Sequence, residues 1–177
     1  MWRHMYNIFE KEGANKHTVW AINYLGTYSP AARKRLEGFY PGDDVVDWIG
    51  FTVQNRTGLG HLPSSFRWLF RSDYNWARRN HPTKPLALFE VGRSRGYGQA
   101  KWIKKTYKDI KEKFPAIKLA QWWEGVLYCC NGLTDDQTFS SSQKSIEAMR
   151  EVHKDPYFIG APLSFLKKYR RAGRLET

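Results

Sequence analysis

Four times between His17 and Lys154 the chain passes from a short β-branched, aromatic or aliphatic run to a longer stretch with helical spacing, and no other regularity limits its fold so tightly. The runs are His17 to Tyr24, Val45 to Val53, Leu86 to Glu90 and Ile117 to Glu124. The helical stretches open at Ser29-Pro30-Ala31-Ala32, which reads as a capped start with proline in the first position, and then cover Ser65 to Asn80, Tyr97 to Phe114 and Ser142 to Lys154. A further helix precedes them, with Trp2, Met5, Tyr6 and Phe9 on one side and Gly13 as its stop. Strands that alternate with helices of this length imply a parallel sheet with right-handed crossovers, so the class is α/β and residues 1–177 form one compact domain. Periodicity leaves two architectures open, a doubly wound sheet and part of a (β/α)8 barrel. A whole barrel takes about 250 residues, so four units are half of one.

The run Leu86-Ala87-Leu88-Phe89-Glu90-Val91-Gly92 reads as a buried parallel strand that delivers Glu90 to its carboxyl end, where barrel enzymes keep their chemistry. A glutamate lifted out of an apolar strand is costly to bury without a task or a partner. The plainer explanation is an ion pair with Arg93 or Arg95. The glycine-rich stretch that follows, Gly92 to Gly98, lacks the Gly-Lys-Ser/Thr ending of a phosphate loop and the order of a dinucleotide fingerprint.

Composition closes off several other functions. Lys and Arg total 29 against 17 Asp and Glu, a net charge of +12 that raises the question of a polyanion partner. The basic residues are spread, crowding only at Lys101, Lys104, Lys105, Lys108, Lys111 and Lys113 on an apparent solvated helix face, and in the tail Lys167-Lys168-Tyr169-Arg170-Arg171. No nucleic-acid motif accompanies them, and no nucleic-acid partner is expected. No apolar run reaches the roughly 18 residues of a membrane span, and the amino terminus lacks the layout of a signal peptide. The two cysteines, Cys129 and Cys130, are adjacent and supply no disulfide framework, and the five histidines show no metal-ligand spacing. Neither a metal nor a cofactor is expected.

Four stretches together resemble the carboxyl-terminal half of glycoside hydrolase family 26, whose best-known members are β-mannanases. They are Trp2-Arg3-His4 through Glu12-Gly13-Ala14, Tyr40-Pro41-Gly42-Asp43-Asp44-Val45-Val46-Asp47-Trp48-Ile49-Gly50, Lys84-Pro85 through Gly92, and Asp155-Pro156-Tyr157-Phe158. The resemblance implies a (β/α)8 barrel of which this chain supplies the fourth helix and strand-helix units five to eight. Glu90 falls at the family's nucleophile at the end of strand seven. Retaining glycosidases need two carboxyl groups about 5 to 5.5 Å apart. The family's acid/base glutamate ends strand four, and nothing here corresponds to it, because the chain begins after that strand. Glu124, at the end of the last run, is the one alternative acid within the chain.

Further contacts follow from the same resemblance. On strand six the family's tyrosine that hydrogen-bonds the nucleophile is replaced by Gln54, and either Gln54 or Asn55 is positioned to donate to Glu90. Asn55-Arg56-Thr57 also spells a glycosylation sequon, which at a cleft rim is not expected to carry a glycan. Trp122 and Trp123 end the last strand and point to opposite sides, and the resemblance favours Trp122 as the sugar platform. Trp20 and Tyr24 on the first strand are the remaining aromatic candidates. The implied activity is retaining hydrolysis of a β-linked polysaccharide, mannan first, in an extracellular setting; the alternative is an inactive, glycan-binding remnant. Open strands at the two edges of a half-barrel invite self-association.

Overall fold

The computed structural model describes residues 1–26, 36–128 and 132–158. The expected helix start at Ser29, the cysteine pair and the basic tail lie outside the described residues. Helix α1 (Trp2–Lys11) and a short 3-10 turn (Asn15–His17) lead into strand β1 (Ala21–Leu25). Residues 36–39 are helical. Then come β2 (Trp48–Asn55), α2 (Phe66–Asn80), β3 (Leu86–Arg93), α3 (Gln99–Lys113), β4 (Ile117–Trp122), the short strands β5 (Val126–Tyr128) and β6 (Thr134–Asp136), and α4 (Gln143–Val152).

The main sheet is all parallel and runs β1-β2-β3-β4, the order of the chain. A doubly wound sheet reverses its order at a switch point, whereas a barrel adds each strand beside the last. The observed order is that of a barrel, and the four units form a partial (β/α)8 barrel. The β5-β6 hairpin, antiparallel and inserted after β4, has no counterpart in the sequence reading.

Alternation along each strand separates two faces. Ile49, Phe51 and Val53 of β2 and Leu86, Leu88 and Val91 of β3 are completely buried against the helices. They meet Phe66, Phe70 and Trp76 of α2 and Trp102, Ile103 and Ile110 of α3, with Phe51 and Phe70 rings 5.2 Å apart. Burying each such side chain contributes about 1.5–3 kcal/mol, which makes this layer the principal source of stability. Helix α2 is opened by Ser65, whose hydroxyl accepts the Trp68 amide at 3.2 Å, a capping bond that satisfies an otherwise orphaned donor. The lysines of α3 occupy its exposed side and are largely paired: Lys104 with Glu151, Lys105 with Asp109, Lys108 with Glu112 and Lys111 with Asp155. The α3 lysines are therefore not a bare cationic stripe, although the net charge of +12 already counts their acidic partners.

The amino-terminal end of the sheet is locked by its own cluster. Asp43 accepts hydrogen bonds from the Tyr40 hydroxyl at 2.6 Å and from His81 Nδ1 at 2.8 Å, while Lys84 donates to the carbonyls of Asp43 and Val46. The Tyr40 and His81 rings stack 3.9 Å apart. Burial pushes the Asp43 carboxyl up, but the bonds from Tyr40 and His81 and the charges of His81 and Lys84 hold it below the usual carboxylate range. Across the same end, Arg3 grips Asp44 with both terminal nitrogens and Trp2 donates to the Val45 carbonyl.

Candidate active site

The face of the sheet turned away from α2 and α3 carries Gly50, Thr52 and Gln54 from β2, the residues between Ile49, Phe51 and Val53 of the core. Glu90 joins them through an irregularity in β3. The register pairs Phe51 with Leu88 but Thr52 with Glu90, so Phe89 is an extra residue, and the pairing of β3 with β4 slips over the same stretch. This is a β-bulge, and it turns Phe89 and Glu90, consecutive in sequence, toward the same side. The space for Phe89 comes from Gly50, where a side-chain carbon would stand 2.2 Å from the phenyl ring.

Two chains of hydrogen bonds converge on one oxygen of Glu90. Asn23 Nδ2 donates to Thr52 Oγ1 at 3.0 Å, and Thr52 Oγ1 donates to Glu90 Oε2 at 3.3 Å. Arg56 Nε donates to Gln54 Oε1 at 2.9 Å, and Gln54 Nε2 donates to Glu90 Oε2 at 3.2 Å. Among the described residues no hydrogen bond reaches the other oxygen, Oε1. Thr52 and Gln54 are buried while Glu90 is half-buried, so the carboxylate is held from behind and open in front. Neither Arg93 nor Arg95 pairs with it: Arg93 donates to the Tyr97 carbonyl and Arg95 binds Asp136.

The other expected contacts divide cleanly. Gln54 stands beside Glu90 as anticipated, but Asn55 turns to the opposite side, is buried, and donates to the Ser64 carbonyl at 2.6 Å. Its burial also removes the sequon from the surface. Trp122 points into the helix layer, its ring 5.9 Å from Trp102 and its Nε1 bonded to the Gln137 carbonyl. Trp123 takes the other side: a side-chain carbon at Gly92 would lie 3.6 Å from its Cβ, which places it on the face of Glu90 and reverses the expected preference. Its Nε1 is buried without a hydrogen-bond partner among the described residues.

Trp20 and Tyr24 do not stand on that face. Trp20 precedes β1 and packs beneath α1, within 5.1 to 5.4 Å of the rings of Trp2, Tyr6 and Phe9, with its Nε1 bonded to Asn15. Tyr24 faces the core between Phe51 and Trp76, where burial pushes its hydroxyl up to about 12. Glu124 is occupied as a loop cap, its two oxygens accepting the amides of Phe139 at 2.9 Å and Ser140 at 3.1 Å. Two sequence-level signals went unread. The alternation Ile49-Gly50-Phe51-Thr52-Val53-Gln54 already places small and polar residues on a single side, and the polar Asn23 in an otherwise apolar run marks the same side of β1.

The rim of this face is braced by the hairpin. Ser94 Oγ accepts the Gly58 amide at 2.7 Å and donates to the fully buried carboxylate of Asp135, which also accepts from Gln137 Nε2 at 2.7 Å. These bonds tie the loops that follow β2 and β3 to one another. Among the described residues no group of three or more His, Cys, Asp or Glu is placed to hold a metal ion, and no helix is long and apolar enough to cross a membrane.

No family model matches the chain. A β-1,3-xylanase from Alcaligenes sp. is 32% identical over 79 residues, which are 44% of this chain and 14% of that protein. The crystal structure of a GH128 (subgroup VI) exo-β-1,3-glucanase from Aureobasidium namibiae aligns over 79% of this chain and 52% of that one, with 13% identity and a TM-score of 0.48. The chain therefore spans a minor part of the relative it matches in sequence. That sequence similarity runs to a glycoside hydrolase, one named for β-1,3-xylan rather than for mannan.

Proposed function

We propose that this chain is the carboxyl-terminal half of the catalytic barrel of a retaining glycoside hydrolase, with Glu90 as its nucleophile and a β-linked polysaccharide as its substrate. One observation carries the reading: Glu90 lies in the carboxyl-terminal half of the inner strand β3, with Oε2 held by Thr52 and Gln54 and Oε1 without a hydrogen bond among the described residues. In the first step Oε1 bonds to the anomeric carbon while the glycosidic bond breaks and its electron pair leaves with the departing oxygen. A second carboxyl group protonates that oxygen and then takes a proton from the water that releases the sugar. Glu124 does not fill this role, since its oxygens serve the loop amides. The family resemblance assigns the second carboxyl group to the end of the barrel's fourth strand, and without such a group turnover of natural glycosides is slower by about 10²- to 10⁴-fold, on the order expected for general acid catalysis.

The substrate is a β-linked backbone, with β-1,3-xylan favoured by the sequence relative and β-mannan by the family resemblance. An extracellular setting goes with either polymer. The test uses fluorosugar glycosides of the xylo, manno and gluco series with a dinitrophenolate leaving group, which needs no acid. Mass spectrometry should find one sugar attached to the peptide containing Glu90, and the series that labels fastest identifies the substrate. Absence of an adduct with all three, or an adduct that persists in Glu90→Ala, would defeat the proposal. Binding without an adduct would favour an inactive glycan-binding remnant.

A further inference from the structure

Arg56 is not in contact with Glu90, yet the geometry points to it as a positioning residue that orients the Gln54 amide and, with Thr52, directs Oε2 of Glu90 away from attack. This inference rests on the nucleophile reading above and adds to it the device that orients the carboxylate. The two ends of a glutamine amide have nearly the same shape, one a donor and the other an acceptor. Something must therefore choose which end of Gln54 meets Glu90. Arg56 makes the choice, because a guanidinium only donates: its Nε, 2.9 Å from Gln54 Oε1, requires the oxygen end on its side and sends Nε2 toward Glu90. With the amide reversed, donor would face donor at Arg56 and acceptor would face acceptor at Glu90. The cation also polarises the amide and strengthens the bond it gives to the carboxylate. Among the described residues Arg56 forms no ion pair.

The experiment uses the full 177-residue chain, with Arg56→Met, Gln54→Leu and the double variant labelled by the fastest fluorosugar glycoside. Arg56→Met should slow labelling about tenfold, as expected for loss of a charge-assisted hydrogen bond. Gln54→Leu should do the same, and the double variant should match Gln54→Leu within about twofold, since the two residues act in series. A second readout is spectroscopic. The side-chain amide cross-peaks of Gln54, assigned by their absence in Gln54→Leu, should shift in Arg56→Met and stay fixed in Lys101→Met, which changes an exposed charge on α3. Arg56→Gln repeats the test if the methionine variant does not fold. Unmoved cross-peaks, or a double variant slowed by the product of the single effects, would overturn the role of Arg56. If the wild-type chain takes no label, the nucleophile reading fails, while the cross-peaks still judge the relay.

Discussion

Leu88 and Val91 stand three positions apart in one strand, yet both are completely buried on its helix side. Regular alternation forbids this, because residues at odd spacing face opposite ways. The extra residue at Phe89 reconciles them, and its consequence is functional. Without the bulge, Glu90 would share the side of Leu88 and be driven into the helix layer, where an unpaired carboxylate is untenable. With it, Glu90 reaches Thr52 and Gln54.

Gly50 is therefore expected to be intolerant of a side chain. In Gly50→Ala the new carbon meets the Phe89 ring at 2.2 Å and the Ile22 carbonyl at 3.1 Å. Overpacking of this kind costs about 1–3 kcal/mol, and it pushes on the residue that sets the bulge. Chemical denaturation should show the loss, and labelling of Glu90 should slow in parallel. Phe89→Ala in the same molecule should restore part of the stability; additive losses would mean that the two residues are not coupled.

The second hydrogen-bond chain provides a parallel expectation. Thr52→Val preserves shape and removes the donor to Glu90 Oε2, whereas Asn23→Ala removes only the bond behind it. Labelling should slow about tenfold in the first and less in the second, because the direct bond to a charged oxygen is the stronger one. Combining Thr52→Val with Gln54→Leu frees Oε2 as well as Oε1 and should slow labelling beyond either single change. Equal rates in Thr52→Val and wild type would remove Thr52 from the site.

Glu124 separates a structural carboxylate from a chemical one. Glu124→Gln retains one acceptor for the amides of Phe139 and Ser140, while Glu124→Ala retains none. By analogy with helix capping, the alanine change should cost about 1 kcal/mol and the glutamine change less. Neither should alter the rate at which Glu90 is labelled or the slow turnover of natural glycosides. A selective loss of turnover in Glu124→Gln, with stability intact, would make Glu124 the acid.

The partition between what was readable in the sequence and what was not follows from interaction range. Apolar runs and a serine before a helix are local signals, so the parallel class and the strand-helix alternation were visible, whereas the third strand was expected to close at Glu90 and in fact continues to Arg93. The direction of a side chain depends on register, which is set by neighbouring strands. Trp122 and Trp123 were expected to diverge and do, but which one meets the helices was settled only by pairing of β4 with β3. Trp20 was assigned to the strand because aromatic and β-branched residues precede it, yet the chain becomes extended in the sheet only at Ala21, after Trp20 has closed under α1. Arg56 was invisible as a site residue because its role passes through another side chain. The β5-β6 hairpin strands are too short to leave a periodic trace.

The cluster at the amino-terminal end of the sheet predicts the response to acid. Asp43 titrates below its usual range in the folded chain, so it binds protons less readily folded than unfolded. A lowered carboxyl pKa contributes stability that is fully present above the unfolded value, near 3.8, and is lost as the pH falls through the folded value. Asp44, lowered chiefly by its hydrogen bond to Arg3, and Asp155, lowered chiefly by Lys111, act in the same direction. Stability should thus be flat with respect to these groups at neutral pH and decline below about pH 4. Asp43→Asn should be less stable than wild type at pH 7, because Tyr40 and His81 lose a charged acceptor and Lys84 loses a nearby countercharge. The gap between the two should narrow as the pH drops from 4 toward 2, since protonation makes the wild-type side chain neutral as well. The Asp43 side chain is 46% exposed, so solvent screening keeps its share of the acid response modest. Denaturant midpoints for both proteins across that range measure the gap, and a difference that stays constant with pH would show that Asp43 acts through shape rather than charge.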